Sequence, residues 1–443
     1  MHSSAPDSLT ADELLASPRG RSLVFGLAGR PVWETDPRCL AEGEPWSDAD
    51  RRYIEFRQAA GEAQSCIDAQ RGNSGVTYTS GSKRPLRRDR PEKQDLNALI
   101  AEVVETLGAI RPREPTQADL RGAMTEVIAG AMYWQPPHAD ALLAGFPAVR
   151  RALRPFAVAL VDSGLLDSWP HSAVVRSQWA PAGDDEDQRN GLPAVFTVDP
   201  ANGSELAGIA RADMDAVDGA EPWATSADLL RHWLADSFVA ELRWRREFAK
   251  GPHQQVSGEW ESAPPNDLWS STGTWPDGKP VGLDLVEDDF GLERARACRL
   301  RINDDARIYE IHRPEDWAQL CRRFPLDVTA QRRHVWFETT DRKGLWVIPD
   351  WARVAEEFDG IHVSPAGYLR SAGAVIDVGD ASLVEESPSR PTVGDTDDRA
   401  ASLMAGWNPD TIYWLNDVIA GVAEVVEWVY DNDADAWRQT PTG

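Results

Sequence analysis

The C-terminal half of this chain consists of short blocks of alternating structure, of which one example is Phe358-Asp-Gly-Ile-His-Val-Ser-Pro-Ala-Gly-Tyr368. The block leads from the end of a predicted helix through a glycine turn into a three-residue strand, and a second turn follows. Strands of this kind are predicted at 281–286, 299–302, 307–311, 334–337, 345–348, 361–363, 374–378 and 411–415. Short helices are predicted at 314–323 and 349–358. Short mixed elements indicate an α+β fold rather than a doubly wound sheet.

The half of the chain that precedes these blocks is predicted to be mainly helical. Apolar residues recur at helical spacing in four segments, which are 53–67, 96–107, 120–132 and 148–162. At the other end, a linker rich in Ser, Pro and Asp is predicted at 385–399 and a final helix at 417–430.

Between the two halves, β-branched runs at 173–179 and 194–198 flank an acidic loop and predict a hairpin. An amphipathic helix is predicted over Ser226–Lys250, with its large apolar side chains on one face. These side chains are Leu229, Leu230, Trp233, Leu234, Phe238, Val239 and Leu242. The sequence therefore predicts a helical domain over 1–165, a hairpin with a connecting helix over 166–255, and a Trp-rich α+β domain over 256–443.

Composition limits the classes of partner. The chain has 443 residues, 42% of them hydrophobic and 27% charged, which is typical of globular proteins. Its net charge of −26 creates a field that repels polyanions. Nucleic acid and an anionic membrane are therefore poor candidate partners. A basic run at 83–90 is predicted to be a solvated loop or, alternatively, an anion-docking segment.

Four cysteines, Cys39, Cys66, Cys298 and Cys321, are widely separated, which predicts free thiols rather than zinc ligands or a disulfide framework. The first residues lack a basic segment followed by an apolar one, and no run approaches the roughly 20 apolar residues that a spanning helix needs. We therefore expect a cytoplasmic protein. Signatures of phosphate loops, dinucleotide folds, nucleophile elbows and zinc proteases are lacking, and the histidines have no metal-ligand spacing, so no metal is expected.

One candidate ligand site comes from Asp267-Leu-Trp-Ser-Ser-Thr-Gly-Thr-Trp275. Ser270, Ser271 and Thr272 stand beside Trp269 at a predicted strand end. Hydroxyl groups can orient a polar ligand, and an indole can stack on a planar ring. The alternative is a turn whose hydroxyls bond to nearby backbone groups.

Two further blocks supply candidate polar residues. Asp359 and His362 are three positions apart, and a carboxylate beside an imidazole can make it a general base. The alternative is a connection in which His362 is a satisfied core residue. In Gly406-Trp-Asn-Pro-Asp410, Trp407 and Asp410 could face a cleft, or Asp410 could cap the turn. Glu338, on a predicted strand after Arg332 and Arg333, could act as a carboxylate in catalysis or form a surface ion pair.

The chain resembles a bacterial family of unassigned activity whose members carry similar Trp-rich blocks, including counterparts of Trp346-Val-Ile-Pro-Asp-Trp351, Asp359-Gly-Ile-His362 and Gly406-Trp-Asn-Pro-Asp410. The C-terminal half also resembles ADP-ribosyltransferase-like domains, which bind NAD on a split α+β sheet. That resemblance implies Ser270, Ser271 and Thr272 on the nicotinamide-side strand, Trp269 or Tyr368 as the stacking ring, and Glu338 as the carboxylate. The paired-glutamate ExE motif of that family is lacking in the expected place.

Three hypotheses follow. The first is a Trp-lined cleft for a small planar polar ligand, with NAD as cofactor and ADP-ribosyl transfer or NAD hydrolysis as the reaction. The second is a non-catalytic protein-recognition or scaffold protein, in which the aromatic residues serve a protein partner. The third is a hydrolase that uses His362 with Asp359, for which no nucleophile is identified. The first predicts that the indole rings gather around an open hollow, and the second that they fill the core or form a patch.

Overall fold

The computed structural model describes residues 8–30, 48–71, 95–167, 178–183, 225–250, 259–289, 291, 293–380, 397–432, 434 and 436–440. The chain divides into two compact units. The helical unit comprises Asp7–Val127 and Pro137–Ser168, and the sheet unit comprises Ile128–Pro136 and Trp169–Gly443. The described strand and helix of the predicted middle region, 166–255, thus belong to the sheet unit.

Seven helices run through the described residues up to 167. They are α1 (Ala11–Ala16), α2 (Pro18–Ala28), α3 (Asp48–Gln70), α4 (Leu96–Ala109), α5 (Gln117–Ala129), α6 (Ala139–Gly145) and α7 (Pro147–Asp162). The four helices predicted from apolar spacing are confirmed as α3, α4, α5 and α7. Local signals start several helices: Thr10 and Glu13 form a capping box at α1, and Asp95 caps α4.

The sheet unit contains twelve strands and five helices within the described residues. The helices are α8 (Ser226–Lys250), α9 (Pro314–Arg323), α10 (Thr329–Thr340), α11 (Trp351–Val354) and α12 (Pro365–Ser371). The strands are β1 (Gln178–Gly183), β2 (Ser270–Thr272), β3 (Arg294–Ile302), β4 (Ile308–Ile311), β5 (Pro325–Asp327), β6 (Gly344–Pro349), β7 (Gly360–Val363), β8 (Val375–Asp380), β9 (Asp397–Leu403), β10 (Thr411–Trp414), β11 (Ile419–Asp431) and β12 (Ala436–Gln439). Helices come mainly first and sheets later, so the predicted α+β class is confirmed.

The strands form two sheets. The larger has eight strands in the order β12-β11-β3-β1-β2-β10-β7-β4, and only its last pair, β7 and β4, is parallel. The smaller has four strands in the order β5-β6-β9-β8, with β6 parallel to β9. In the larger sheet, β10 lies between β2 and β7, so the three predicted site blocks become neighbours.

Tryptophan rings fill the interior of the sheet unit. Trp407 lies edge-on to Trp317 and Trp351, with ring centroids 5.4 and 5.9 Å away, and all three are fully buried. Trp336 of α10 and Trp346 of β6 form a second pair at 5.0 Å. The buried tryptophans of the described residues are Trp179, Trp275, Trp317, Trp336, Trp346, Trp351, Trp407, Trp414, Trp428 and Trp437. Each ring of this size removes roughly 150–250 Å² from water, so they form much of the core.

Three element predictions are wrong. Residues 281–286 begin with a 3-10 turn, Val281–Leu283, and 334–337 belong to α10. Residues 417–430 form strand β11 instead of a helix. Both glutamates of β11 face arginines of β3, since Glu424 pairs with Arg299 and Glu427 with Arg296. Opposite charges directly across two strands stabilise the pairing, which periodicity within one segment does not reveal.

Other predictions fall partly outside the described residues. Only residues 178 and 179 of the first predicted hairpin strand are described, where they begin β1, whose neighbours are β2 and β3. The second predicted strand, 194–198, and the basic run at 83–90 lie outside the described residues. Of the predicted linker, only 397–399 is described, and it opens β9.

Cys66, Cys298 and Cys321 are buried, and burial raises the pKa of both Cys298 and Cys321 to about 12.

No helix in the described ranges combines the length and the apolar character needed to cross a membrane.

Candidate functional site

His362 lies on β7, between the edge strand β4 and the inner strand β10. Glu310 of β4 is its partner in the parallel register, so the two side chains share one face of the sheet. Glu310 Oε2 lies 2.6 Å from His362 Nδ1, and Asp410 Oδ1, just before β10, lies 3.4 Å from His362 Nε2. A single imidazole therefore joins three consecutive strands.

The two carboxylates decide the protonation of His362. Burial by itself lowers the pKa of this ring, but the hydrogen bonds to Asp410 and then Glu310 outweigh it and raise the pKa to about 9. The ring is therefore an imidazolium at neutral pH; its Nδ1 donates to Glu310, and its Nε2 lies within ion-pair distance of Asp410. A ring in this state has no lone pair with which to accept a proton from a substrate, so it does not fit the predicted role of general base.

Asp410 is held in this position by its backbone and by β2. Its φ of +59° is in the left-handed region, which Asp tolerates better than most residues. Its Oδ2 accepts a hydrogen bond from the Gly273 N–H at 3.2 Å. A Cβ on residue 273 would lie 2.7 Å from that oxygen, so a larger residue there would have to displace the Asp410 carboxylate. Asp410 is 3% exposed and faces inward.

Asp359 has a different partner from the one predicted. Its carboxylate accepts hydrogen bonds from the backbone N–H and the guanidinium of Arg307, at 2.8 to 3.1 Å, and from the Asn416 amide at 2.9 Å. The bonds from Arg307 lower the pKa of Asp359 to about 2. The expected contact between Asp359 and His362 is therefore replaced by Glu310 and Asp410, because three-residue spacing in a strand puts two side chains on opposite faces.

The hydroxyl strand β2 also bonds inward. Ser271 Oγ donates to Gln178 Oε1 at 3.0 Å and accepts from Trp414 Nε1 at 2.9 Å. Thr272 Oγ1 accepts from the Gly282 N–H at 3.2 Å. Both residues are buried, whereas Trp269 and Ser270 keep partial exposure at the start of the strand.

Tyr368 and Trp407 meet at a carboxylate that sequence reasoning missed. Glu287 accepts hydrogen bonds from the hydroxyls of Tyr368 and Tyr133, at 2.5 and 3.1 Å, and from the backbone N–H groups of Gly406 and Trp407, at 2.8 and 2.9 Å. Its exposure is 8%. The signal that could have found it is alternation, since Leu283 and Leu285 are buried in the same period-two pattern.

Glu338 lies apart from these groups. It is exposed on α10, a helix that packs against β6 of the smaller sheet and against α8. The structure thus brings His362 and Asp410 together at one point, and Tyr368 and Trp407 at another, mostly through bonds within the protein.

Among the described residues, no group of three or more His, Cys, Asp or Glu could hold a metal ion. Comparisons with protein-family models, curated proteins and solved structures gave no match.

Hydrogen bonds of polar side chains attach the C-terminal half of helix α8 to helix α10. Glu241 is 3% exposed, and its carboxylate accepts the backbone N–H groups of Ala330 and Gln331, at 2.9 and 3.0 Å, in the first turn of α10. Arg245 pairs with Glu241, and the Gln331 amide donates to the main-chain oxygen of Ser237. These contacts fix the rotation of α8 about its own axis.

The opposite side of α8 presents apolar side chains to solvent. We call Ala235, Phe238, Val239 and Leu242 the docking stripe; the last three are 53%, 65% and 46% exposed. Their spacing of i, i+3, i+4 and i+7 puts them on one face of the helix. The predicted single apolar face of this helix is therefore divided, since Leu230, Trp233 and Leu234 face the core.

Proposed function

We propose that this chain is a non-catalytic protein-recognition protein, and that the docking stripe on α8 is its contact surface. The observation that carries the proposal is the exposure of three large apolar side chains on consecutive turns of one helix. The other exposed large apolar residues of the described chain are dispersed over separate elements: Ile54, Trp134, Val375 and Val429. A clustered apolar patch, unlike single exposed residues, marks an interaction site.

The stripe matches a known way of recognising proteins. An amphipathic helix binds a partner through anchors at i, i+3, i+4 and i+7, which is the spacing of Ala235, Phe238, Val239 and Leu242. Glu241 supports this arrangement, because a buried carboxylate bound to two backbone amides keeps the helix from rotating the stripe inward. The buried tryptophans support it as well, since rings that fill a core do not line a ligand cleft.

Photo-cross-linking tests the proposal directly. A photoreactive phenylalanine analogue is placed at position 242 and, as a matched control, at position 375, where Val375 is exposed to a similar degree on β8. We expect a discrete protein adduct at position 242 that Phe238→Asp abolishes. The captured protein, identified by mass spectrometry and purified, should bind the wild-type chain and not the variant.

Two outcomes would contradict the proposal. One is cross-linking at position 242 that is no stronger than at position 375. The other is purified partner that binds Phe238→Asp as tightly as it binds wild type. Because Phe238 is more than half exposed, Phe238→Asp should change the unfolding free energy by no more than about 0.5 kcal/mol, so lost binding cannot be ascribed to unfolding.

The second candidate is NAD binding with ADP-ribosyl transfer or NAD hydrolysis. The observation that favours it is the partial exposure of Trp269 and Ser270, which could present an indole and a hydroxyl to a planar ligand. The carboxylate predicted to act with them, Glu338, lies on α10 rather than on the larger sheet, which is why this candidate ranks second.

A further inference from the structure

The docking stripe is flanked by charges that suit a copy of itself. Asp236 and Arg243 are exposed and lie seven positions apart, so two helical turns separate them and they occupy the same flank of α8. Neither has an ion-pair partner among the described residues. Their separation along the axis is roughly 10 Å, at 1.5 Å of rise per residue. One flank of the stripe thus carries an acid toward its start and a base toward its end.

We infer that the occupant of the docking stripe is the docking stripe of a second copy of this chain, packed antiparallel; this rests on the function proposed above. A two-fold axis perpendicular to α8, at the level between Val239 and Ala240, places each Asp236 opposite Arg243 of the other copy. The same axis sets Phe238 and Leu242 of one copy against the apolar side chains of the other. The contact is isologous, so each contact between two residues occurs twice, once on each side of the axis.

Charge complementarity favours a second copy over a partner helix whose charges are all of one sign. A uniformly acidic helix would match Arg243 and repel Asp236, and a uniformly basic helix would do the reverse. Antiparallel self-pairing satisfies both residues with no additional group. The best partner is therefore a helix that also carries an acidic residue two turns before a basic one and that runs in the opposite direction. A second copy of α8 has this arrangement.

The expected dimer is weak. A single helix stripe falls at the low end of interface sizes, below roughly 1,200 Å² of total buried area, so we expect a Kd in the micromolar range or weaker. The net charge of −26 opposes association of two copies. At about 0.15 M ionic strength the Debye length is about 8 Å, which screens most of that long-range repulsion but not a direct ion pair.

Sedimentation velocity of the full chain across micromolar concentrations, at physiological ionic strength, tests the inference. We expect a concentration-dependent monomer–dimer equilibrium. Leu242→Asp should weaken it by at least about tenfold, because a carboxylate would be buried against apolar groups. The matched control, Val375→Asp, should leave it unchanged, because that exposed valine lies on β8.

Charge exchange tests the orientation. Asp236→Arg and Arg243→Asp, each made alone, place like charges opposite each other at both ends, and each should weaken the dimer roughly threefold to tenfold. The double variant Asp236→Arg/Arg243→Asp restores opposite charges and should return the Kd to within about twofold of wild type. A parallel arrangement would not show this rescue, since it keeps residues 236 and 243 of the two copies about 10 Å apart along the axis.

The outcomes separate the inference from the proposed function. A wild-type chain that stays monomeric throughout, or a dimer that survives Leu242→Asp, overturns the inference. If the chain is monomeric and cross-linking at position 242 captures a different protein, the second copy is ruled out while protein recognition stands. If the chain is monomeric and position 242 captures nothing, both fall.

Discussion

At the scale of single residues, His362 and its two carboxylates form a charged group within the sheet unit. The ring is buried, so its positive charge is tolerated only because Glu310 accepts its Nδ1 proton and Asp410 lies within ion-pair distance of Nε2. Removing the ring would leave two carboxylates facing each other inside the protein. The group therefore acts as a structural link between β4, β7 and β10, and its properties can be measured through stability.

His362 should make stability depend on pH between about 6.5 and 9. The folded state holds this proton with a pKa of about 9, while an ordinary histidine has a pKa near 6.5. Below about 6.5 the ring is charged in both states and its full contribution is present; as pH rises through 9 that contribution is lost. The unfolding free energy should fall by up to about 3 kcal/mol over this range, measured by urea denaturation.

The histidine can be separated from other titrating groups by substitution. His362→Gln should lower the unfolding free energy at pH 7 by about 3–5 kcal/mol, because it leaves the buried Asp410 and the partly buried Glu310 without their cation. It should also remove this pH dependence. His232→Gln, on the exposed side of α8, should keep both the stability and the slope. A His362→Gln chain with the wild-type slope would show that another group carries the effect.

Glu287 provides a second prediction at this scale. Glu287→Ala would leave the hydroxyls of Tyr368 and Tyr133 and two backbone amides without their acceptor, at a cost of at least about 3 kcal/mol. Tyr368→Phe removes one donor from the same carboxylate and should cost about 1 kcal/mol. Chemical denaturation of both variants measures the two costs. Equal costs would mean that the donors around Glu287 find other acceptors when the carboxylate is removed.

At the scale of elements, α8 and α10 are joined by one carboxylate. Val328, at the N-cap of α10, makes no side-chain cap, and Glu241 of α8 accepts the amide hydrogens of that turn instead. Glu241→Ala should lower the unfolding free energy by about 2–3 kcal/mol, since two buried amides lose a charged acceptor. Glu338→Ala, exposed on α10, should change it by less than about 0.5 kcal/mol.

This substitution also reports on the orientation of α8. If Glu241 fixes the rotation of the helix, then Glu241→Ala should increase hydrogen exchange in the first turn of α10 and in α8, and should weaken docking through the stripe. Exchange that is unchanged in both helices would show that other contacts hold them.

At the scale of the whole molecule, the location of the tryptophans bears on the class of function. Of the seven residues predicted to bind a ligand, five are buried, and Ser271, Thr272, Tyr368, Trp407 and Asp410 all bond to groups within the protein. We therefore expect titration with NAD to give neither saturable tryptophan quenching nor release of nicotinamide. Saturable quenching that Trp269→Ala abolishes would support the NAD hypothesis and contradict this expectation.

Helical periodicity within single segments was enough to predict four of the seven helices described up to residue 167, and the short mixed elements of the second half were enough to predict the α+β class. Apolar spacing and capping residues are local properties, so α3, α4, α5 and α7 follow from their own residues. Strand β11 could not be distinguished from a helix in this way, because its glutamates are paired only when β3 is beside it. The same limit applies to α10, where a β-like run of Val335, Trp336 and Phe337 became helical against β6 and α8.

Composition, the positions of α3, α4, α5 and α7, and the presence of His362 and Asp410 in polar blocks were thus determined by the sequence alone. Only the tertiary structure decided which carboxylates meet His362, that Glu287 gathers four donors, and which face of α8 remains in solvent. The physical reason is that each depends on groups far apart in the chain, as with Glu310 and His362 on paired strands. Burial and hydrogen bonding follow from that pairing, and a sequence pattern records only neighbours along the chain.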